Sequence, residues 1–270
     1  MERFPPLVDW SATRDTLHAY SRVAGSILRA HAEATPDWTH VSLMLEESGL
    51  ASRAFTMRRG DVTMLLDLQR HRFELSAPGG VASISLDGGL SGTELAEEIV
   101  RRGEALDVKL HPELTHYEDD RPTGYHTAKA EAYLQALLDV NGVFTAVRGE
   151  FSGDVTGVRL WPHHFDLSFE WHGKEVTFRS KDGTDKAVRA SITVGFSTGD
   201  TSEPGGYLYA NPWPFDEELA AKTLPGEARW YTDEWKGSML PYASIAGTGE
   251  QPVYDYLVAV YEHAAPGLAG

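Results

Sequence analysis

Residues 17–50 and 134–167 carry the same ungapped pattern, displaced by 117 positions. The identical pairs are Leu17/Leu134, Ala19/Ala136, Val23/Val140, Gly25/Gly142, Glu33/Glu150, Asp37/Asp154, Thr39/Thr156, Val41/Val158, Leu43/Leu160 and Leu50/Leu167. Each copy crosses a helical period, a turn and an alternating period in the same order. A chain written this way is held to two copies of a helix-then-strand unit. Gly25 and Gly142 fall at equivalent points inside the two helical stretches. Glycine costs about 1 kcal/mol against alanine inside a helix. The pair therefore predicts that each helix is closely approached by a neighbour there.

The rest of the chain extends both copies. Leu17, Tyr20, Ala24, Ile27 and Leu28 form one face of a helix between Trp10 and about Ala34. Val41, Leu43 and Leu45 alternate with polar residues, as do Met64, Leu66 and Leu68, then Phe73 and Leu75, then Ala82, Ile84 and Leu86. Gly49, Gly60-Asp61 and Gly79-Gly80 punctuate them, which is the pattern of an antiparallel meander. A short helix opened by Ser91 or Thr93 runs to Gly103, and Val108 and Leu110 read as a short strand. A second long helix spans His126 to about Phe151. Strands follow it, with a turn expected at Gly173-Lys174, and a last helix starts at Gln251-Pro252. The predicted fold class is α+β: two similar helix-plus-antiparallel-sheet halves produced by internal duplication. The first covers 1–110, a connecting loop covers 111–124, and the second covers 125–270 with the C-terminal helix.

Charge limits the function classes. The chain of 270 residues holds 24 Lys and Arg against 40 Asp and Glu, a formal charge of −16. Phosphate-backbone binding needs clustered cations, so nucleic acid is not an expected partner. No cysteine is present, which removes thiolate nucleophiles, thiolate metal sites and disulfides. No segment has the length and apolarity of a membrane span or a signal peptide. A cytoplasmic protein with no membrane partner is expected.

The densest chemistry lies in Trp161-Pro162-His163-His164-Phe165-Asp166-Leu167-Ser168-Phe169-Glu170-Trp171. Read as a regular strand, it places His164 and Asp166 on one face and the aromatic residues on the other. A His-x-Asp pair suits general acid–base work, with the carboxylate fixing the imidazole tautomer. The alternative is a solvated polar face. His126, at the start of the second long helix, and His111, in the connecting loop, are expected to close over the pair. Trp161, Tyr207, Tyr209 and Trp213 are expected to supply aromatic walls to a ligand pocket. The candidate catalytic residues are His164, Asp166 and His126. The candidate ligand-binding residues are His111, Trp161, Tyr207, Tyr209 and Trp213. No specific metal spacing is present, so no metal is assigned.

Phosphate-loop, nucleophile-elbow, His-Glu-x-x-His and dinucleotide signatures are all missing, and no cofactor is assigned. The Leu17-His18-Ala19-Tyr20 helix, the Leu160–Leu167 stretch, the Tyr207–Pro214 segment and the Leu240-Pro241-Tyr242 turn together resemble the bacterial family called domain of unknown function 5996. The likeness spans essentially the whole chain. It implies a single-family protein and carries no activity with it. The functional expectation is a small-molecule pocket protein that could use His/Asp acid–base chemistry. The alternative is a non-catalytic binding or scaffold protein. Neither composition nor motif fixes an oligomeric state.

Overall fold

The computed structural model describes residues 3–113, 124–180, 182–199 and 204–270. Asp119, Asp120 and most of the loop read at 111–124 lie outside the described residues. The fold is mixed, with helices and antiparallel strands. Its contacts divide into two compact units. One comprises Met1–Pro6, Asp139–Val158 and Leu167–Gly270, and the other Leu7–Leu138 and Arg159–Asp166. Each gathers pieces distant in sequence, and the division falls inside a helix, between Leu138 and Asp139, not at 111–124.

The unit containing Leu7–Leu138 begins with helix α1 (Ser11–His31). Strands β1 (Leu43–Glu46), β2 (Gly49–Ser52), β3 (Phe55–Met57), β4 (Gly60–Asp67), β5 (Arg72–Ala77) and β6 (Gly80–Ser85) follow. Helix α2 (Gly92–Ala105) comes next. Ser91 and Glu94 close a reciprocal capping box at its start, which satisfies two otherwise unpaired backbone donors. Strand β8 (Arg159–Trp161) returns to this unit and pairs with β1, Leu160 opposite Leu43. The order is β8-β1-β2-β4-β5-β6, antiparallel throughout, with β3 on β4. Leu17, Tyr20 and Ile27 of α1 are fully buried, as are Leu43, Leu66 and Phe73 of the strands. Burial of each such side chain contributes about 1.5–3 kcal/mol. Val108 and Leu110 are buried, but they join no ladder.

Asp67 ends β4 and is fully buried. Its Oδ1 accepts from the backbone N–H groups of Gln69 at 3.1 Å and Arg70 at 2.8 Å. Its Oδ2 accepts from Arg70 Nη1 at 3.2 Å. A buried carboxylate is tolerable only when satisfied in this way. Here it builds the tight turn between β4 and β5, in which His71 adopts a left-handed φ of 52°.

The other unit holds the second half of helix α3 (Thr127–Glu150), strand β7 (Asp154–Val155), most of β9 (Asp166–Arg179), β10 (Asp185–Ser197), β11 (Tyr207–Trp213), β12 (Arg229–Tyr231), β13 (Gly237–Pro241) and helix α4 (Gln251–Leu268). Its order is β12-β13-β11-β10-β9, antiparallel, with β7 on β9. Phe144 of α3 and Phe151, just beyond its end, pack on Phe169 of β9. Tyr256 of α4 shares a buried 2.9 Å hydrogen bond with Ser238 of β13. Near the start of the chain, the Phe4 N–H donates to Asp139 Oδ2 at 2.7 Å and the Phe4 carbonyl accepts from Gly247.

Two local readings differ from the structure. Gly173-Lys174 is not a turn, because β9 runs through both residues. A Cβ at Gly173 would lie 2.2 Å from the Leu268 carbonyl oxygen. The glycine thus admits the end of α4 against the strand, a recognised use of glycine within a sheet. Val41, which alternates with Leu43 and Leu45 in sequence, lies not in a strand but in a short 3-10 helix, Thr39–Val41, and the segment Tyr207–Trp213 is strand β11, paired over its whole length with β10.

Candidate functional site

The histidine-rich stretch does not form the regular strand read from its alternation. After Trp161 the chain turns. The Trp161 carbonyl accepts from the N–H groups of His164 at 3.3 Å and Phe165 at 2.8 Å. Phe165 takes a left-handed φ of 57°, a conformation costly for a bulky side chain. The chain then straightens into β9 at Asp166. His164 is exposed in the turn and Asp166 is buried beyond it. The reversal at Phe165 lies between them, so the two-residue period does not relate them.

Helix α1 locks the turn in place. Gly25 is buried, and a Cβ there would sit 2.9 Å from Pro162 Cβ. The glycine lets the proline ring rest on the helix backbone. The Phe165 ring is buried between His18, at 5.4 Å and nearly parallel, and Tyr133, at 5.3 Å. Tyr133 stacks in turn on Trp10 at 5.0 Å. These stacked rings are the counterweight to the strained φ.

The strapping gathers imidazoles. His18 Nε2 lies 3.3 Å from the His163 carbonyl oxygen. A carbonyl only accepts, so Nε2 carries the proton in that contact. The His163 and His164 rings are 4.3 Å apart, and Trp161 meets His163 edge-on at 6.1 Å. Burial pushes the His18 pKa down, and Arg22 adds to the effect. Burial pushes His163 down as well, reinforced by His164, Arg29 and His18. Both rings are therefore biased towards the neutral form that can accept a proton near neutral pH. Beside them, the Arg29 guanidinium lies over the Trp38 ring at 4.7 Å. Trp38 is 52% exposed and left-handed, with φ 60°.

Tyr133 brings a buried hydroxyl with no hydrogen-bond partner among the described residues. Its pKa is raised well above the usual tyrosine value by burial and by the Asp166 carboxylate. Replacing Tyr133 by Phe removes no bond and one desolvated group, so stability should hold or rise by about 1 kcal/mol. Urea denaturation measures it. A loss of that size would mean that the hydroxyl is bonded, with Asp166 the first suspect.

The other candidate residues are distributed differently. His126 is exposed before α3, and its backbone N–H donates to Thr13 Oγ1 at 3.0 Å. His111 is exposed, and its N–H donates to His31 Nε2 at 2.9 Å. Among the described residues, no hydrogen bond or ring contact joins the side chain of either to His164. Tyr207, Tyr209 and Trp213 lie on β11 in the other unit. There the Tyr207 and Tyr209 rings approach to 6.3 Å, and Trp213 meets Phe178 edge-on at 5.6 Å. Beside them Pro212, Pro214, Phe215, Leu219, His263 and Leu268 line a cleft of about 210 Å³. That is smaller than the ~300 Å³ lower end of small-molecule pockets, and His263 Nε2 is already engaged with the Thr223 carbonyl at 3.2 Å. Among the described residues, no three His, Asp or Glu side chains are placed to share a metal ion, and no helix is long and apolar enough to cross a membrane.

The model of a family described as "Family of unknown function (DUF5996)" matches residues 4–269. The chain belongs to that family. No curated protein and no solved structure matches it. For this family member, the alternation reading missed His18, Arg29 and Trp38. The signal that could have found them is the spacing His18, Arg22, Gly25, Arg29, which is four, three and four residues and puts all four on one helix face.

Proposed function

We propose that the protein binds a small molecule at the Trp161–Phe165 turn, and that His163 exchanges a proton with it. The observation that carries this reading is the neutral bias of His163 and His18 on a turn held against α1 by the Gly25–Pro162 contact. A neutral imidazole at a solvent-open edge is a general base waiting for a substrate. Strain stored at Phe165 supports it further, since left-handed bulky residues persist where the surroundings over-determine them. His164 is the second imidazole of the site. Asp166 acts from behind the turn, through the environment of Tyr133.

The test is a screen of charged and neutral metabolites against the imidazole signals of the protein in NMR spectra. A ligand should move the His163 and His164 signals. His163→Gln should then reduce turnover of that ligand by about 10²-fold or more, with Tm within about 1 °C of the parent. If the His163 signal moves for no compound while signals elsewhere do, the site is misplaced.

We also infer that the two halves arose by duplication and that the protein works in the cytoplasm. The first is supported by element order. Along the chain, α1, six strands (β1–β6) and α2 are followed by α3, seven strands (β7–β13) and α4. Leu43 and Leu160, one of the identical pairs, are also cross-strand partners. The glycines weigh on the other side, because Gly25 is buried while Gly142 is exposed. The second is supported by the lack of cysteine, which suits a reducing compartment.

A further inference from the structure

We propose that the ligand of the Trp161–Phe165 turn carries a phosphoryl group, held by Arg29, His163 and His164. The inference rests on the ligand-site reading above and gives the ligand its chemical class.

The chain carries a large acidic surplus, so an average patch of its surface is negative. Here the reverse holds. Helix α1 presents His18, Arg22 and Arg29 on one face, and the turn seated on Gly25 adds His163 and His164. His164, Arg29 and His18 all oppose protonation of His163. Close by in the chain, Asp37 precedes Trp38, and it also acts on Arg159, whose other neighbour is Arg53. Among the described residues, the carboxylates that act on His18 and on Arg159 are Asp15 and Asp37 respectively. Asp37 is itself tied up, since its Oδ1 accepts from the Thr39 hydroxyl at 2.8 Å and the Thr39 N–H at 3.2 Å. Among the described residues, no carboxylate forms an ion pair with Arg29, Arg53 or Arg159. Arg29, a cation without a carboxylate partner among the described residues, set beside imidazoles that its charge discourages from protonating, is what an anion site offers before the anion arrives.

The geometry favours a phosphoryl group over a single carboxylate. Arg29 lies with its guanidinium over the Trp38 ring. Stacking occupies the face of the fork and leaves its edge N–H donors available, the arrangement suited to two oxygens at once. His163 and His164 add two ring edges 4.3 Å between centroids. A group with three acceptor oxygens and close to two negative charges at neutral pH answers all three donors. It also reverses the electrostatic bias, because a dianion beside His163 favours the imidazolium that its present neighbours disfavour.

The experiment follows the imidazole signals of the full chain at constant pH and ionic strength. Inorganic phosphate, glucose 6-phosphate, glucose and sodium chloride are titrated separately. Phosphate and glucose 6-phosphate should move His163 and His164 towards their protonated positions, and glucose and chloride should not. Arg29→Gln should weaken the response at least tenfold. His164→Gln, at an exposed position, should weaken it without any change in Tm, which covers the case of an Arg29 variant that folds poorly. Equal affinity for both phosphate probes supports a free anion as ligand, and tighter binding of the ester supports a phosphomonoester. An equal response to chloride overturns the proposal as simple screening. A response to neutral compounds with none to phosphate overturns the phosphoryl assignment and leaves the ligand site standing. Silence of these two histidines towards every compound overturns both.

Discussion

Asp67→Ala should destabilise the protein by about 2–4 kcal/mol, the largest effect expected of any polar substitution described above. The carboxylate is fully buried and holds two backbone N–H groups and the Arg70 guanidinium. Arg72 Nε lies 4.0 Å away, buried and with no hydrogen-bond partner of its own. Truncation would leave two amides unbonded, while Arg72 keeps its ion pair with Glu74. Each donor left unsatisfied costs about 1–3 kcal/mol, against a total stability of about 5–15 kcal/mol for typical domains, and the two arginines stay in reach of solvent. Asp67→Asn separates the two contributions. It keeps the Oδ1 acceptor for both amides but loses the charge and the Oδ2 acceptor of Arg70, so its cost should be smaller. Urea denaturation of the three proteins reads the difference. Equal losses for Ala and Asn would mean that the charge carries everything and the turn amides nothing.

Gly25→Val should cost about 2–3 kcal/mol, and Gly142→Ala should do the opposite. The two positions match in the repeat and differ in surroundings. At Gly25 the first added carbon would already press on Pro162 at 2.9 and 3.0 Å. Pro162 has no rotamer freedom with which to yield, so the turn itself must shift, at the usual 1–3 kcal/mol cost of overpacking and more with a branched side chain. At Gly142 the nearest atom is the flexible end of Glu250 at 3.5 Å, an ordinary contact. Alanine there should gain up to about 1 kcal/mol of helix propensity. Thermal unfolding should show a drop on the order of 5 °C for Gly25→Val and a small rise for Gly142→Ala. The Gly25 variant should also move the His163 NMR signal, because the turn is seated on that glycine. A stable Gly25→Val with an unmoved His163 would show that the contact does not hold the site.

Where periodicity and local chemistry agree, the elements were legible. Leu17, Tyr20, Ile27 and Leu28 mark α1, and Ser91 with Glu94 marks the start of α2. Alternation gave β4, β5 and β6, because those strands have one buried side. It failed where distant contacts decide. Nothing near Gly173 in sequence says that the end of α4 will lie against it. Nothing in Trp161–Phe165 says that α1 has left a flat place for Pro162. Alternation was followed through His163 and His164 because polar and aromatic residues happen to alternate there, while the backbone reverses at Phe165. The histidines were thus found by composition, and the company they keep was not. His18 and Arg29 come from a helix more than 130 residues earlier in the chain, and only folding brings them to the turn.

The interleaved membership of the two units has a consequence for how the chain is made. Synthesis delivers residues in order, at about 5–20 per second, and units made early ordinarily fold early. Here the earlier unit lacks its β8 strand until Trp161 has been added, because that strand pairs with β1 through Leu160 and Leu43. The first residues wait longer still. Phe4 is fully buried, yet the groups that receive it, Asp139, Tyr242 and Gly247, span the rest of the chain. During translation the segment around Phe4 must therefore keep an apolar side chain uncommitted until Gly247 has been added, and neither unit is complete as a vectorial product.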